Sequence, residues 1–525
     1  MSIKRIHHPV PSLDSTIIGE LDDARGLALF RGIPYATVEK RWTHSQTRHS
    51  LDSPYDATNF GPRCVQTVRS SLVTTGAVDP ETGDDEFKCL NLNVTVFRDV
   101  LYGNKQELLP VMVWIHGGAF THGANSVSRY RPELLCELAK EFGNQVVIVQ
   151  INYRLGPLGY AATKDFEAEQ DADSPSLGNF GLYDQRNALE WVQAHISDFG
   201  GDPDNVTAFG VSAGSASIHH HILSGSPLFD RAILMSGTAP NLGPVPLEML
   251  EMVWKGFVKS SGVKEDDPVK RLEKLRALEP MDVLNKYSPA ALASVADGKF
   301  LPKNWSMYEK QDPTRCKSII LGDSRVEGII FDSSIARADL ASFRKLVESV
   351  LSGSEATRFY EVFGFATDTA EMPDDEFRDA MRFLMSVMMF QYPNLEVAAT
   401  YPEAYLYHFE EPSPFPGATL GLPYHGMCAF YLHQTVIDND LVSEGGKATA
   451  REMGRIWSGF AHGKQPWEVW ASNQKFMRFG PHGSALHSTG DDQTRSYAYL
   501  EQDWLKEHFE QVKTIVGGVL NGLKK

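Results

Sequence analysis

The spacing of hydrophobic positions predicts strands and helices that alternate along the middle of the chain. Apolar runs of strand length occupy residues 110–115, 145–152 and 206–209. Before the last of these, residues 182–195 place apolar side chains on one face at helical spacing. Strands that alternate with helices in this way indicate a mostly parallel sheet that helices cover on both faces.

Other parts of the chain carry different patterns. Residues 14–35 alternate apolar and polar residues around turns, which predicts a small antiparallel N-terminal sheet. Residues 245–300 and 335–400 have charged, amphipathic helical periodicity, so we predict helical insertions there that cap the sheet around a substrate pocket. No repeat or linker divides the sequence, and a single domain over residues 1–525 is expected.

Composition and charge restrict the partners of the protein. The 525 residues are 42% hydrophobic and 22% charged, as in an ordinary globular protein with a large core. The formal charge of −17 predicts an acidic surface that repels phosphate backbones, so no nucleic-acid partner is expected. No apolar run reaches the length of a bilayer span, so no membrane span is predicted. The oligomeric state is not indicated.

The N-terminus and the cysteines bear on localisation. MSIKRIHHPVPSLDS has no apolar segment behind its basic residues, so no signal peptide is predicted. Five cysteines, an odd number, fit a reducing compartment, and we expect a cytoplasmic protein. Sequons at Asn93, Asn205 and Asn304 leave secretion open.

One stretch, residues 205–215 (NVTAFGVSAGS), has the pattern Gly-x-Ser-x-Gly between a strand and a helix. This is the pattern of a nucleophile elbow, in which Gly210 and Gly214 remove the Cβ atoms that would clash in a tight turn. The following helix directs its N-terminal N–H groups towards developing negative charge. The pattern makes Ser212 the candidate nucleophile.

A serine nucleophile needs a base and an acid that orients the base. The chain offers both in the order Ser, Glu, His, which is one of the known orders for such triads. Glu327 follows the strand predicted at residues 317–322, and His425 lies in the loop after residues 404–409. Taken singly, a solvated loop acid and a loop histidine remain open alternatives.

Acyl transfer also needs N–H donors for the oxyanion. Ala213, the residue after the nucleophile, can supply one. The turn Gly117-Gly118-Ala119, which follows the strand at 110–115, can supply others because its small residues let the backbone approach a substrate oxygen.

Other chemistries are less well supported. His219, His220 and His221 are consecutive, so on a helix they point in three directions, and no metal site is predicted. The sequence contains no phosphate-binding loop and no dinucleotide fingerprint, so no cofactor is predicted.

At this point the chain resembles a known family, the type B carboxylesterase/lipase family (the carboxylesterase–cholinesterase group). The shared blocks are ordered and spread over most of the chain. They are FRGIPYA (30–36), FGPRCVQ (60–66), CLNLNV (89–94), WIHGGAF (114–120), NYRLGPLGY (152–160), GNFGLYDQRNALEWV (178–192), FGGDPDNVTAFGVSAG (199–214), LFDRAILMSG (228–237) and FAHGKQP (460–466).

The resemblance implies an α/β-hydrolase fold: a mostly parallel central sheet with helices, a small N-terminal antiparallel sheet and helical cap insertions. It implies a serine carboxylic-ester hydrolase that needs neither metal nor cofactor. By motif, the family's nucleophile falls on Ser212, its general base on His425, its acid on Glu327, and its oxyanion donors on Gly118, Ala119 and Ala213.

The resemblance also concerns residues around this site. It matches a second serine to Ser236, and it matches Cys64 and Cys89 to a disulfide of secreted relatives, with a reduced pair equally open here. Two positions depart from the family: Val211 and Cys428 stand where acidic residues are usual. The effect of these replacements on the polar surroundings of the triad is not predictable from the sequence.

The sequence restricts the class of substrate only in part. The loop between Cys64 and Cys89 contains no tryptophan, and Phe87 is its one aromatic residue, which argues against choline esters. We expect small to medium hydrophobic esters. An acyltransferase or lactone-processing enzyme with the same triad, and a non-catalytic binding protein of this fold, are the alternatives.

Overall fold

The computed structural model describes residues 4–67, 79–102, 107–169, 176–225, 227–288, 292–310, 316–367, 371–488 and 503–522. Its strands are β1 (Lys4–Val10), β2 (Ser15–Asp22), β3 (Leu27–Pro34), β4 (Ala36–Thr37), β5 (Gln46–Thr47), β6 (Tyr55–Asp56), β7 (Asn91–Phe97), β8 (Leu109–Ile115), β9 (Val147–Ile151), β10 (Gly201–Val211), β11 (Arg231–Met235), β12 (Ser318–Ser324), β13 (Glu403–Phe409), β14 (Lys475–Phe479) and β15 (Ala485–Ser488).

Helices follow most of the central strands. They are α1 (Arg98–Tyr102), α2 (Glu133–Glu141), α3 (Gly156–Tyr160), α4 (Phe180–His195), α5 (Ala213–Leu223), α6 (Leu247–Ser260), α7 (Pro268–Arg276), α8 (Pro280–Lys286), α9 (Asp332–Ile335), α10 (Leu340–Val350), α11 (Gly353–Phe363), α12 (Asp374–Ser386), α13 (Tyr392–Thr400), α14 (Met427–Leu432), α15 (Glu444–Ala461), α16 (Trp470–Asn473) and α17 (Asp503–Leu520).

Within the described residues, thirteen strands form one sheet in the order β1-β2-β3-β7-β9-β8-β10-β11-β12-β13-β14-β15, with β6 beside β2. The strands from β9 to β14 in this order pair in parallel. The predicted N-terminal antiparallel strands are present, and they continue the main sheet because β3 pairs with β7 and β7 pairs with β9. The mostly parallel sheet predicted from the hydrophobic pattern is therefore confirmed.

The central strands are apolar on both faces because helices cover both. In β8, Val111 and Val113 pack into one hydrophobic layer and Met112 and Trp114 into the other, and all four are fully buried. Such continuous apolar runs are typical of doubly covered parallel strands. They explain why the sequence predicted β8 and β9 close to their observed bounds.

β7 and β14 are among the strands of the sheet that escaped prediction. In β7, the side chains of Asn91, Asn93 and Thr95 are polar, yet all are buried. Asn93 Oδ1 accepts a hydrogen bond from Gly32 N at 2.9 Å, so burial of the amide is compensated. β14 is short and belongs to the sheet through its parallel pairing with β13, which its sequence does not encode locally.

The segments predicted as insertions are helical. Residues 245–300 contain α6, α7 and α8, and residues 335–400 contain α10 to α13. α12 passes through a π-helical turn, Val387–Gln391, directly into α13. None of the helices in the described ranges combines the length and hydropathy that a membrane crossing requires.

Candidate active site

The turn between β10 and α5 has the strained geometry of a nucleophile elbow. Ser212 adopts φ 57° and ψ −123°, a backbone conformation that residues with a side chain rarely adopt. A Cβ atom on Gly210 would lie 2.7 Å from the carbonyl oxygen of Ile115, and one on Gly214 would lie 2.0 Å from the same oxygen. The two glycines are therefore required by close contact with β8. Ser212 N donates to Met235 O at 2.8 Å, which fixes the bend against β11.

The glycine turn after β8 lies directly against this elbow. A Cβ atom on Gly117 would lie 2.5 Å from Val211 O and 3.1 Å from Ser212 Cβ. The absence of a side chain at position 117 is thus what allows the turn to approach the nucleophile so closely.

The next residues of the turn are held in left-handed conformations. Gly118 has φ 116°, and a Cβ atom there would lie 1.9 Å from His122 O. Ala119 has φ 52°, which is unusual for a residue with a side chain. On the other side, Ala213 is the first residue of α5, so its N–H has no acceptor within the helix. The amides predicted as oxyanion donors therefore come from two segments that meet at Ser212.

Glu327 lies immediately after β12, in a turn that is fully buried at this residue. Its Oε1 accepts a hydrogen bond from Ser324 N at 2.6 Å, and its Oε2 forms a short hydrogen bond with His425 Nδ1. The loop of His425 is joined to this turn by the backbone, because Val326 N donates to Pro423 O at 2.8 Å. Glu327 and His425 are thus in direct contact, as an acid and a base of a triad must be.

The imidazole of His425 is also oriented by its neighbours. The ring of Phe390 lies 4.9 Å from it, centroid to centroid. Gly426, with φ 77°, would place a Cβ atom 3.6 Å from Val211 Cγ2. The histidine loop therefore packs against the residue that precedes Ser212, which brings the loop to the elbow.

The contact between Ser212 and His425 differs from the contact between His425 and Glu327. Across the part of the chain that the structure describes, the Ser212 hydroxyl forms no hydrogen bond to His425. In proteins without bound substrate such contacts are often long, and they tighten in the substrate complex. The catalytic role of the three residues stays a prediction.

The surroundings of the triad are neutral at the positions that depart from the family. Ser236 Oγ lies 3.9 Å from Cys428 Sγ, and Tyr407 Oη donates to the same sulfur at 3.6 Å. Burial raises the pKa of the Cys428 thiol to about 12, so the thiol is uncharged at neutral pH. Val211 adds no polar group. Ser236 thus contacts Cys428, at one of the two positions that depart from the family, and its role behind the triad stays a prediction.

Cys64 and Cys89 are free, buried thiols in this structure. Leu155 N donates to Cys64 Sγ at 3.2 Å, and Cys89 Sγ donates to Glu86 O at 3.5 Å. A hydrogen bond between the two thiols, together with burial, raises the pKa of Cys89. The two thiols are therefore close together and not bridged in this structure, and the disulfide stays an open prediction.

The three consecutive histidines lie in α5 and are buried. They contact separate partners: His219 Nδ1 accepts from Ala239 N at 3.0 Å, His220 is 3.2 Å from Ser294, and His221 is 3.1 Å from Gln185. In the ranges given above, no group of three or more His, Cys, Asp or Glu side chains is arranged to hold a metal ion.

Two features near the site were not predicted. A cavity of about 480 Å³ is lined by Val326, Gln391 and Leu422, beside the turn of Glu327 rather than at Ser212. A second buried acid–histidine pair, Asp323 and His408, lies beside the triad acid. The sequence carries a weak signal for this pair, since Asp323 precedes Glu327 by four residues and His408 interrupts an apolar strand.

Comparison with known proteins relates the chain to a protein family. A model described as the carboxylesterase family matches residues 16–505. Lipase 3 of Yarrowia lipolytica is 30% identical over 367 residues, covering 67% of this chain and 69% of that protein. Cholinesterase of Mus musculus is 27% identical over 512 residues, covering 87% and 80%. Bile salt-activated lipase of Mus musculus is 37% identical over 294 residues, covering 52% of this chain and 45% of that lipase. The match thus spans less than half of the latter protein's length.

The solved structures agree on the fold. A thermophilic PNB esterase has a TM-score of 0.73 at 23% identity, covering 94% of this chain and all of that one. Another PNB esterase has a TM-score of 0.72 at 24% identity. This likeness and the observed sheet confirm the α/β-hydrolase fold. Because the family model covers nearly the whole chain, the protein belongs to the carboxylesterase family.

Proposed function

We propose that the protein is a serine carboxylic-ester hydrolase that acts through an acyl-enzyme on small to medium hydrophobic esters. The observation that carries this proposal is the meeting of the Glu327–His425 pair, the strained Ser212 and the glycine turn at one end of the parallel strands. Relatives named as esterases and lipases support hydrolysis as the reaction class.

The proposed reaction uses the three side chains in turn. His425 takes the proton of the Ser212 hydroxyl while the serine oxygen attacks the ester carbonyl carbon. Glu327 stabilises the imidazolium that forms. The oxyanion of the tetrahedral intermediate accepts hydrogen bonds from amides of Gly118, Ala119 and Ala213, each worth about 3–4 kcal/mol in comparable enzymes.

Collapse of this intermediate breaks the bond to the leaving alcohol, which takes the proton from His425. Water then attacks the acyl-enzyme, with His425 again accepting a proton. The second tetrahedral intermediate expels the Ser212 oxygen, which takes that proton back from His425, and the free acid leaves. No metal or cofactor enters this sequence of steps.

A panel of p-nitrophenyl esters of graded acyl length, assayed with wild type and Ser212→Ala, tests the proposal. We expect hydrolysis with a preference for short to medium chains, and loss of turnover in the variant. Turnover that survives in Ser212→Ala would exclude Ser212 as the nucleophile.

The alternative of acyl transfer or lactone processing would use the same residues. Adding a competing alcohol separates the two, because a transferase forms the transester product in preference to the free acid. We expect the free acid, in keeping with the names of the relatives. For choline esters, the one aromatic residue between positions 64 and 89, Phe87, is 44% exposed, and we expect no preference for a quaternary ammonium group.

A further inference from the structure

Two carboxyl side chains lie close together in sequence at the end of β12. Asp323 is the penultimate residue of the strand, and Glu327 begins the turn that follows. Both side chains are fully buried. Two buried carboxylates disfavour each other's ionisation, yet the triad needs Glu327 in its charged form.

Asp323 has a partner on the neighbouring strand. His408 of β13 stands opposite Asp323 in the parallel register, and its Nδ1 donates to Asp323 Oδ1 at 2.6 Å. Asn394 of α13 donates to Asp323 Oδ2 at 3.1 Å and to Gly322 O at 3.2 Å. The end of β12 that leads to Glu327 is therefore held by hydrogen bonds from two elements, β13 and α13.

The second nitrogen of His408 also faces a carboxylate. Its Nε2 lies 3.7 Å from Glu410 Oε1, further along the chain just after the same strand. An imidazole with carboxylate oxygens beside both nitrogens is favoured in its doubly protonated, positive form. His408 thus has a carboxylate oxygen near each of its two ring nitrogens.

The charges around this pair come from each neighbouring element. Burial raises the pKa of Asp323, the negative charge of Glu327 raises it further, and His408 and Asn394 oppose that rise. Burial raises the pKa of Tyr407 of β13, and Cys428 and then Asp323 raise it further. Arg478 of β14 stands opposite His408 in the sheet. Among these groups, His408 and Asn394 contact the Asp323 carboxylate directly.

We propose that the His408 imidazolium is the countercharge of Asp323 and that this pair positions the catalytic acid. Glu327 then faces His425 without an uncompensated negative charge at the end of the preceding strand, β12. The proposal rests on the proposed function, because it assumes that Glu327 is the acid of the triad. Asp323 and His408 are positioning residues, since neither contacts His425 or Ser212 among the contacts that the structure describes.

The test is the pH dependence of Ser212 labelling by a fluorophosphonate probe, and of kcat/KM for a p-nitrophenyl ester. In His408→Gln, Asp323 keeps a hydrogen-bond donor but loses its countercharge. We expect the acidic limb of both profiles to move to higher pH by about half a unit or more, because added negative charge near the triad favours the protonated base. In Asp323→Asn, and in the double variant Asp323→Asn/His408→Gln, the limb should not move upward.

This asymmetry separates a charge effect from damage to the fold. His433→Gln, at another buried histidine, is the matched control and should lower the unfolding temperature without moving the limb. A His408→Gln profile that coincides with wild type, or a double variant that coincides with His408→Gln, would overturn the proposal. If the wild type itself fails to react with the probe, the proposed function fails instead. If His408→Gln does not fold, the pH profile of Asp323→Asn alone tests the proposal. An acidic limb that moves to higher pH in that variant would contradict the proposal, because the substitution removes a negative charge near the triad.

Discussion

Gly117 shows how a single missing side chain shapes the site. It is the residue of the glycine turn closest to the nucleophile, and a Cβ atom there would meet Val211 O at 2.5 Å and Ser212 Cβ at 3.1 Å. Unlike Gly118, it has no positive φ, so alanine fits its backbone. Substitution therefore changes contact with the elbow rather than local backbone strain.

We predict that Gly117→Ala lowers kcat for an activated ester by about 10²-fold or more, because the added methyl group displaces the oxyanion donors from the elbow. Steady-state kinetics with a p-nitrophenyl ester measures this. Gly256→Ala is the matched control and should leave kcat unchanged, since that glycine lies in α6 and an added methyl group there would meet no atom within 4 Å. Equal kcat in both variants would contradict the predicted role of the turn.

At the scale of elements, the base is oriented by a helix that is not regular. The π-helical turn Val387–Gln391 lies between α12 and α13 and carries Phe390, whose ring is 4.9 Å from that of His425. Such turns often occur at functional sites. α12 also contacts the turn of the acid, because Gly328 N donates to Ser386 Oγ at 2.8 Å. One helical segment thus supports both the acid and the base.

We predict that Phe390→Ala lowers kcat/KM about tenfold, because the imidazole loses the ring packed against it, and that Phe390→Leu recovers most of the loss by restoring apolar contact. Kinetics of the two variants on the same ester measures this. If Phe390→Ala has wild-type kcat/KM while its unfolding temperature falls, the ring only stabilises the fold.

The predictable parts of the structure are those that neighbouring residues encode. The Gly-x-Ser-x-Gly turn needs its glycines within four residues of one another, and the acid and base follow from their order along the chain. By contrast, β7 was missed because its buried Asn91, Asn93 and Thr95 resemble loop residues. The Asp323–His408 contact depends on the register of two strands that lie 85 residues apart. The contact of Phe390 depends on a helical irregularity that no local pattern indicates.

At the scale of the whole molecule, buried histidines couple stability to pH. For five of them, burial lowers the pKa well below its ordinary value of 6.5, because the charged ring is poorly solvated there. These five are His219 and His221, each with a pKa of about 3, and His116, His220 and His433, each with a pKa of about 4.

The sign follows from proton binding. Below pH 6.5 the unfolded chain takes up protons at these histidines and the folded protein does not, so stability falls as the pH drops from about 6.5 towards 4. We predict that urea midpoints measured at pH 7, 6 and 5 decrease in that order. His433→Phe should flatten this dependence, since the ring packs against Trp114 and Phe209 and phenylalanine can replace it. An unchanged slope in the variant would show that His433 is not a source of the effect.

The central claim is that Ser212 is activated by His425 and Glu327. Its most direct test is the mass of the intact protein after reaction with a fluorophosphonate, followed by peptide mapping of the labelled site. We predict one label per chain on Ser212 in wild type, none in Ser212→Ala, and much slower labelling in Glu327→Gln. A label on another residue, or equally fast labelling of Ser212 in Glu327→Gln and in wild type, would contradict this account.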